Sequence, residues 1–304
     1  MKRYQSGILA AIPSHAEHLY FDLNPEYDIA SLKLCLKRLA ESVDGEQIVV
    51  GLSLNLCTHL QRTIPGLKNF DITDDTAPLS SSNPRSTHNS NADLWCWLRS
   101  SERSQLFLLQ RELNTILSPC FRLTSQVPTF CYQNGRDLTG YEDGTENPQD
   151  DAALATAFLQ DAPVGLQGSS FVVTQQWQHR FAEFDAMTQE QRDHTIGRRR
   201  ENNEELEEAP ESAHVKRTAQ EDFTPEAFVL RRSMPWMNQG QAGLLFAAFA
   251  TSFDPFEAQF RRMLGHDDGI SDALFNISTP LNTHYFWCPP SESGRLDLRA
   301  LLSI

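Results

Sequence analysis

Three short segments of this 304-residue chain carry side chains whose types and spacing could do chemistry. The first is Gly140-Tyr141-Glu142-Asp143-Gly144-Thr145-Glu146-Asn147-Pro148, in which glycines bracket an acidic residue and a proline closes the segment. Glycine adopts backbone angles and allows close approaches that other residues resist, so a turn between Gly140 and Gly144 can aim Asp143 into a cleft as a proton acceptor. An ordinary Gly/Asp/Asn/Pro turn accounts for the same composition. The second is Ser212-Ala213-His214-Val215, whose imidazole could ligate a metal; eight other histidines compete, and none has an HExxH-like zinc spacing. The third is Leu230-Arg231-Arg232-Ser233, where a guanidinium at the end of a buried strand would need an anionic partner because it stays charged. A surface position for both arginines fits that segment equally well.

Hydrophobic periodicity gives the elements that must position these residues. An apolar run at 6–13 predicts a strand, and 29–43 predicts a helix with Leu32, Leu36, Leu39 and Val43 on one face. A strand follows at 47–54. After a Ser/Asn-rich loop at 80–90 come a strand at 93–98, a helix aligning Leu106, Leu109, Leu113 and Leu117, and a strand at 121–130. Two strand-helix-strand units side by side make a ferredoxin-like domain. The second half repeats the order: a strand at 169–175, a capping box Thr188-Gln189-Glu190-Gln191, and strands at 227–230 and 243–249. Asp254 as N-cap with Pro255 at the first helical position then leads a helix that turns Phe256, Phe260, Met263 and Leu264 inward, before a short strand Tyr285-Phe286-Trp287. The expectation is two similar halves, 1–150 and 151–304. Arg198-Arg199-Arg200, followed by six glutamates before His214, reads as a long solvated loop, and loops of that length inside compact domains are often functional.

Composition narrows the class. With 26 basic against 40 acidic side chains the formal charge is −14, which repels phosphate backbones and membrane surfaces and excludes nucleic acid as the expected partner. A hydrophobic fraction of 40% excludes disorder as the main state. The apolar stretch at 7–12 is too short for a secretory signal and lacks a cleavage site, and no segment approaches the ~18 apolar residues of a membrane span. A soluble, cytoplasmic protein is expected. The six cysteines are dispersed without a CxxC pair, so neither disulfides nor structural zinc are indicated.

Taken in order, the three segments resemble the signature of the dye-decolorizing peroxidases, in particular the short bacterial P-type (formerly B-type) branch. The resemblance extends through Ser6-Gly7-Ile8-Leu9, Asp93-Leu94-Trp95, Ile196-Gly197-Arg198, Gly243-Leu244-Leu245-Phe246, Met263-Leu264-Gly265 and Asp268-Gly269, hence nearly the whole chain. It implies an α+β fold of two ferredoxin-like domains, with antiparallel sheets and peripheral helices in a dimeric α+β barrel-like arrangement. It further implies one b-type haem per chain, held mainly by the C-terminal half. On the family pattern His214 is the proximal iron ligand, Asp143 and Arg231 lie on the distal face with Ser233 beside them, and Phe246 walls the pocket. Arg198 pairs with a haem propionate, Gly144 and Thr145 lie against the cofactor, and Asp272, before Asp268, is the carboxylate on the other nitrogen of His214.

The activity so implied is reduction of hydrogen peroxide through an oxoferryl haem and oxidation of dyes, phenols or similar small aromatic reductants. Asp143 would move the proton, and Arg231, always charged, would stabilise the separating oxygen. The family divides this work differently between the two residues in different members. Trp177, Trp236, Tyr285 and Trp287 are either electron relays or plain packing. A homo-oligomer is implied as well. Two other readings compete: a haem-handling, iron-releasing protein with incidental peroxidase turnover, and a haem-free acidic interaction module. The net charge yields a test of substrate choice: cationic dyes should be oxidised faster than anionic dyes at low salt, with the gap closing as salt is added. Equal salt responses of the two dye classes would contradict it.

Overall fold

Closing a sheet on itself removes the unpaired edges that strands otherwise expose. The computed structural model describes residues 3–72 and 92–302, and in it nine strands form one closed antiparallel barrel. The first half runs β1 (His15–Leu23), α1 (Ile29–Ser42), β2 (Ile48–Leu52), α2 (Leu54–His59), β3 (Leu94–Ser100), α3 (Arg103–Leu117) and β4 (Phe121–Phe130). The second runs α4 (Asp150–Ala157), β5 (Ser170–His179), α5 (Phe181–Ala186), α6 (Gln189–Ile196), α7 (His214–Arg217), β6 (Leu230–Arg231), β7 (Met234–Asn238), β8 (Gln241–Ala250), α8 (Asp254–Met263) and β9 (Ser278–Cys288). The strand orders are β2-β3-β1-β4 and β9-β5-β8-β7, the same ferredoxin-like order in each half. The halves are joined at two seams by single residue pairs, Leu52 with Trp287 and Thr129 with Trp236. The fold is therefore α+β, with two ferredoxin-like sheets closed into a barrel and helices outside.

Side chains alternate across each strand, and that alternation separates two cores. Inward from the strands point Tyr20, Val49, Trp95, Trp97, Val172, Phe249 and Phe286, which fill the barrel; Trp95 stacks on Phe286 with centroids 6.0 Å apart. Outward point Leu19, Phe21, Val50, Leu94, Cys96 and Leu98, covered by the leucine stripes of α1 and α3. In the second half Phe171, Val173 and Tyr285 meet Phe253, Phe256 and Phe260 at and in α8. None of the helices among the described residues is long and apolar enough to cross a membrane.

Several expected elements differ. The run at 6–13 is not a strand: Ser6–Ile8 is one 3-10 turn, and Ile8 plugs the barrel interior while Gly7 N–H bonds Gly45 O at 2.8 Å. The first strand instead starts at His15, and its inward face carries His18, which hid its alternation. The strand expected at 227–230 shrinks to the ladder Leu230–Arg231, because carboxamide side chains take the backbone groups before it: Val229 N–H donates to Gln220 Oε1 and Gln259 Nε2 donates to Ala227 O. The final strand is eleven residues long; Pro280 lies at its register shift, where a missing N–H is tolerated. The capping box of α6 forms as expected, whereas the N-cap of α8 is Phe253, one residue before Asp254. The Ser/Asn-rich loop at 80–90 lies outside the described residues.

Two imidazoles are enclosed inside the barrel. Burial pushes the pKa of His18 down to about 3 and that of His284 down to about 4. His18 Nδ1 accepts from Trp95 Nε1 at 3.3 Å. Between about pH 6.5 and 4 the unfolded chain takes up protons at these positions that the folded chain refuses, so folding stability falls with pH by up to ~1.4 kcal/mol per unit for each imidazole. Urea unfolding at pH 7 and pH 5 should show a smaller acid loss in His18→Gln, which keeps an acceptor for Trp95, than in the native chain. Equal losses would contradict this origin.

Candidate functional site

The second half-sheet leaves part of its outer face uncovered by α8. Gln175 and Trp177 of β5 stand opposite Phe246 and Leu244 of β8, and these four side chains form the floor of a cavity of about 900 Å³. Phe256, Phe260 and Met263 of α8 form an apolar wall, and His214, Asp143 and Arg231 reach the same space.

His214 opens the short helix α7 at the end of the long acidic loop. Its Nδ1 lies 2.7 Å from Oδ2 of Asp272, whose side chain is completely buried and whose Oδ1 accepts Leu274 N–H at 2.8 Å. A carboxylate accepts only, so this bond places the imidazole proton on Nδ1 and leaves the Nε2 lone pair free to ligate. Nε2 has no hydrogen-bond partner among the described residues. Asp268 is engaged elsewhere, in a two-point pair with buried Arg217 at 2.7 and 2.8 Å, and those hydrogen bonds hold its carboxyl below the ordinary range.

Asp143 and Arg231 come from a loop and a strand. Arg231 pairs with Ala248 on the β8 face that also bears Phe246, so the two-residue strand period sends its side chain into the cavity. Its Nη1 is 3.7 Å from Asp143 Oδ1, and its Nε is buried without a partner. The loop carrying Asp143 is tied down by Arg136, which bonds Glu142 Oε1 at 2.8 Å, Gly140 O at 2.6 Å and Arg200 O at 3.0 Å. Gly140 has φ +86°, a backbone conformation that favours glycine, and a Cβ there would lie 2.4 Å from Arg200 Nε. A second cavity of about 450 Å³ adjoins the first, with Asp143 and Arg231 lining both.

The other expected site residues divide. Phe246 lines the main cavity, as does Ile196. Ser233 and Gly144 line the second cavity instead, and Ser233 Oγ is buried without a partner. Arg198 lines neither cavity; its guanidinium bonds Glu146 at 2.7 Å, Glu205 at 3.0 Å and Asn203 O at 3.1 Å. Thr145 is exposed and accepts from Asn203 Nδ2 at 2.9 Å, turned away from the pocket. Trp177, Trp236, Tyr285 and Trp287 are each at most 5% exposed, which prevents direct contact with a bulky donor.

A buried chain that sequence reasoning missed also lines the main cavity. Asp137 Oδ1 is 2.8 Å from His179 Nε2, and His179 Nδ1 is 3.0 Å from Ser278 Oγ. Burial alone would raise the Asp137 pKa; the charge and hydrogen bond of His179, with two hydrogen bonds from Thr139, outweigh it and hold the carboxyl below its ordinary value. The only local signal was a turn-forming Asp137-Leu138-Thr139, since the partners lie 42 and 141 positions away, and nothing in His179 itself distinguishes it from the other histidines.

The family model described as Dyp-type peroxidase, C-terminal, matches residues 134–293. Among curated proteins, the dye-decolorizing peroxidase of Rhodococcus erythropolis is 28% identical over 206 residues, covering 66% of this chain and 60% of that protein. That of Mycobacterium tuberculosis is 26% identical over 203 residues, covering 65% and 61%. The matched stretch thus spans about three fifths of the length of these relatives. Among solved structures, a dye-decolorizing protein from V. cholerae superposes with TM-score 0.82 at 22% identity, over 98% of both chains. A variant of Rhodococcus jostii RHA1 DypB in complex with heme gives 0.78 at 22% identity, over 92% of this chain and 94% of that one. These structural likenesses show a shared fold.

The Asp137–His179 pair makes a checkable claim about stability. Leaving a buried hydrogen-bonding group without its partner typically costs about 1–3 kcal/mol, so Asp137→Ala should lower unfolding stability by about that much near neutral pH. The depressed pKa means that the contribution of Asp137 is present above the unfolded carboxylate value near 4 and is lost as pH falls through the folded value. Denaturant unfolding should therefore show the gap between native and variant narrowing below pH 4; a gap that widens there would refute the assignment.

Proposed function

The chain belongs to the Dyp-type peroxidase family, and from that premise we propose that it is a haem-dependent peroxidase that reduces hydrogen peroxide and oxidises dyes, phenols and similar one-electron donors. The carrying observation is that one cavity receives both the free Nε2 of a carboxylate-held imidazole and the Asp143–Arg231 pair. The donor set fits a b-type haem, one per chain. A single imidazole suits an iron whose equatorial ligands arrive with a macrocycle, the wall of Phe246, Phe256, Phe260 and Met263 suits its faces, and Arg231 Nε is a buried donor lacking an acceptor. When bound, haem supplies an iron with one open coordination position at which peroxide can be cleaved and from which donors can be oxidised.

The residues of this chain then act in distinct ways. His214 Nε2 holds the iron, and Asp272 keeps the Nδ1 proton in place and makes the imidazole a stronger donor. An oxygen of the Asp143 carboxylate takes the proton from one peroxide oxygen and returns it to the other, so that the leaving oxygen departs as water. Arg231 remains protonated; its Nη1 beside Asp143 stabilises the negative charge that develops between the separating oxygens. The smaller cavity gives a molecule of peroxide's size a second approach to this pair, past the unpartnered Ser233 hydroxyl.

The same proposal includes a division of the chain near residue 150, with the loop of Asp143 at the end of the first part and the haem-facing strands in the second. It also includes a cytoplasmic location, supported by six free thiols. Self-association as a homo-oligomer is part of it as well, supported by the exposed Leu34, Phe107 and Leu108 on the neighbouring helices α1 and α3.

Stopped-flow mixing of haem-loaded protein with peroxide tests the mechanism. His214→Ala should lose the Soret band of the ligated haem. Asp143→Ala and Arg231→Leu should retain it yet react with peroxide roughly 100-fold or more slowly. Dye oxidation that survives both distal substitutions unchanged would leave a haem-binding protein without this mechanism.

A further inference from the structure

Arg231 lies where the strand facing β8 is interrupted. Its neighbour Arg232 turns its N–H to Ala247 O at 2.7 Å, so the backbone N–H and C=O of Arg231 point to the opposite edge. At that edge a strand would normally supply partners, but β4 and β7 share only the pair Thr129 with Trp236, well past this point. The side chain of Asn147 fills the place. Its Oδ1 accepts Arg231 N–H at 2.7 Å and its Nδ2 donates to Arg231 O at 3.1 Å, the same two-point exchange that a strand residue would make.

Asn147 reaches Arg231 only because of what surrounds it. Its own N–H closes a turn onto Gly144 O at 3.0 Å. Gly144 has φ +77°, and a Cβ on it would lie 2.7 Å from Asn147 Nδ2, so the glycine leaves room for the carboxamide. One residue earlier in the loop, buried Gln220 makes a parallel tie: its Nε2 donates to Glu146 O at 2.9 Å while its Oε1 accepts Val229 N–H at 2.8 Å. Two carboxamides thus fasten 146–147 to 229–231 by four hydrogen bonds, and Asp143 immediately precedes the fastened turn.

The geometry points to Asn147 as the positioning residue of the distal site: by clamping the Arg231 backbone to the turn that directly follows Asp143, it sets the separation of the carboxylate and the guanidinium. The inference rests on the peroxidase reading, because that reading gives the separation its chemical meaning. Asn147 touches neither peroxide nor haem in this account; it acts through Asp143 and Arg231. Displacing reacting groups by about 1 Å costs on the order of 100-fold in rate, so losing the clamp should slow the peroxide step at least tenfold.

Asn147→Ala removes both bonds, whereas the isosteric Asn147→Asp keeps an acceptor for Arg231 N–H and loses the donor to Arg231 O. In haem-loaded protein, the second-order reaction with peroxide should slow at least tenfold in Asn147→Ala and less in Asn147→Asp. The Soret band and the subsequent oxidation of a donor should match the native protein. In haem-free protein, amide hydrogen exchange of the peptide containing Arg231 should accelerate in Asn147→Ala while that of β8 is unchanged. A native peroxide rate in Asn147→Ala despite faster exchange at Arg231 would overturn the inference, as would uniform loss of the Soret band and of every step in both variants. Asp143→Ala serves as the reference: if it slows the peroxide step and Asn147→Ala does not, only this inference falls, and if Asp143→Ala has no effect, the peroxidase mechanism falls with it.

Discussion

A guanidinium inside a protein cannot shed its charge, so its surroundings must be built to accept it. Around Arg231 that requirement organises three parts of the chain. The strand alternation sends its side chain outward with Phe246, the loop brings Asp143 to within 3.7 Å of it, and the next residue, Arg232, turns away to bond Ile8 O at 2.7 Å. The loop in turn is held by Arg136 on one side and by the Asp137–His179 pair on the other. Exposed ion pairs are worth little, and the ties that matter here are short, partly or fully buried and aimed at backbone groups. The opposite-charge pair is thus fixed by hydrogen bonds from charged side chains such as Arg136 and from neutral carboxamides such as Asn147.

The imidazole side of the pocket obeys a different logic. His214 sits on a helix of four residues, too short to hold a side chain rigidly by itself. Its orientation comes from Asp272, which is completely buried and also caps the 3-10 turn Ala273–Asn276. Asp272 N–H bonds Met263 O at 2.8 Å, and Ala273 N–H bonds Ser212 O at 2.7 Å, so the end of α8 and the end of the acidic loop meet at this carboxylate. The long acidic loop is therefore anchored where it matters and solvated elsewhere.

Much of this was legible in the chain, and the exceptions have physical causes. The leucines of α1 and α3 recur at helical spacing and face one core, so both helices were readable, α1 to within a residue at its ends. β1 was missed because its inward face carries His18, a residue type that interrupts an apolar alternation while remaining fully buried. The shortened β6 depends on Gln220 and Gln259, whose claims on the backbone are set only by tertiary packing. At the site, Asp143, His214, Arg231 and Phe246 converge from segments up to 103 residues apart, a convergence visible from family resemblance and not from spacing. Arg198 bonds Glu146 and Glu205, anions supplied by its own acidic surroundings. The Asp137–His179–Ser278 chain had no local signature, since its members are ordinary residues made unusual by burial.

The main cavity lies outside the barrel, between the second half-sheet and α8, and none of the strand-to-strand hydrogen bonds crosses it. Filling or emptying it therefore exchanges a cover of helix and loop and leaves every ladder intact. The scaffold can be complete before its guest arrives, so synthesis of the polypeptide and supply of the cofactor need not coincide in time. A chain built in this way can wait, folded, for its prosthetic group.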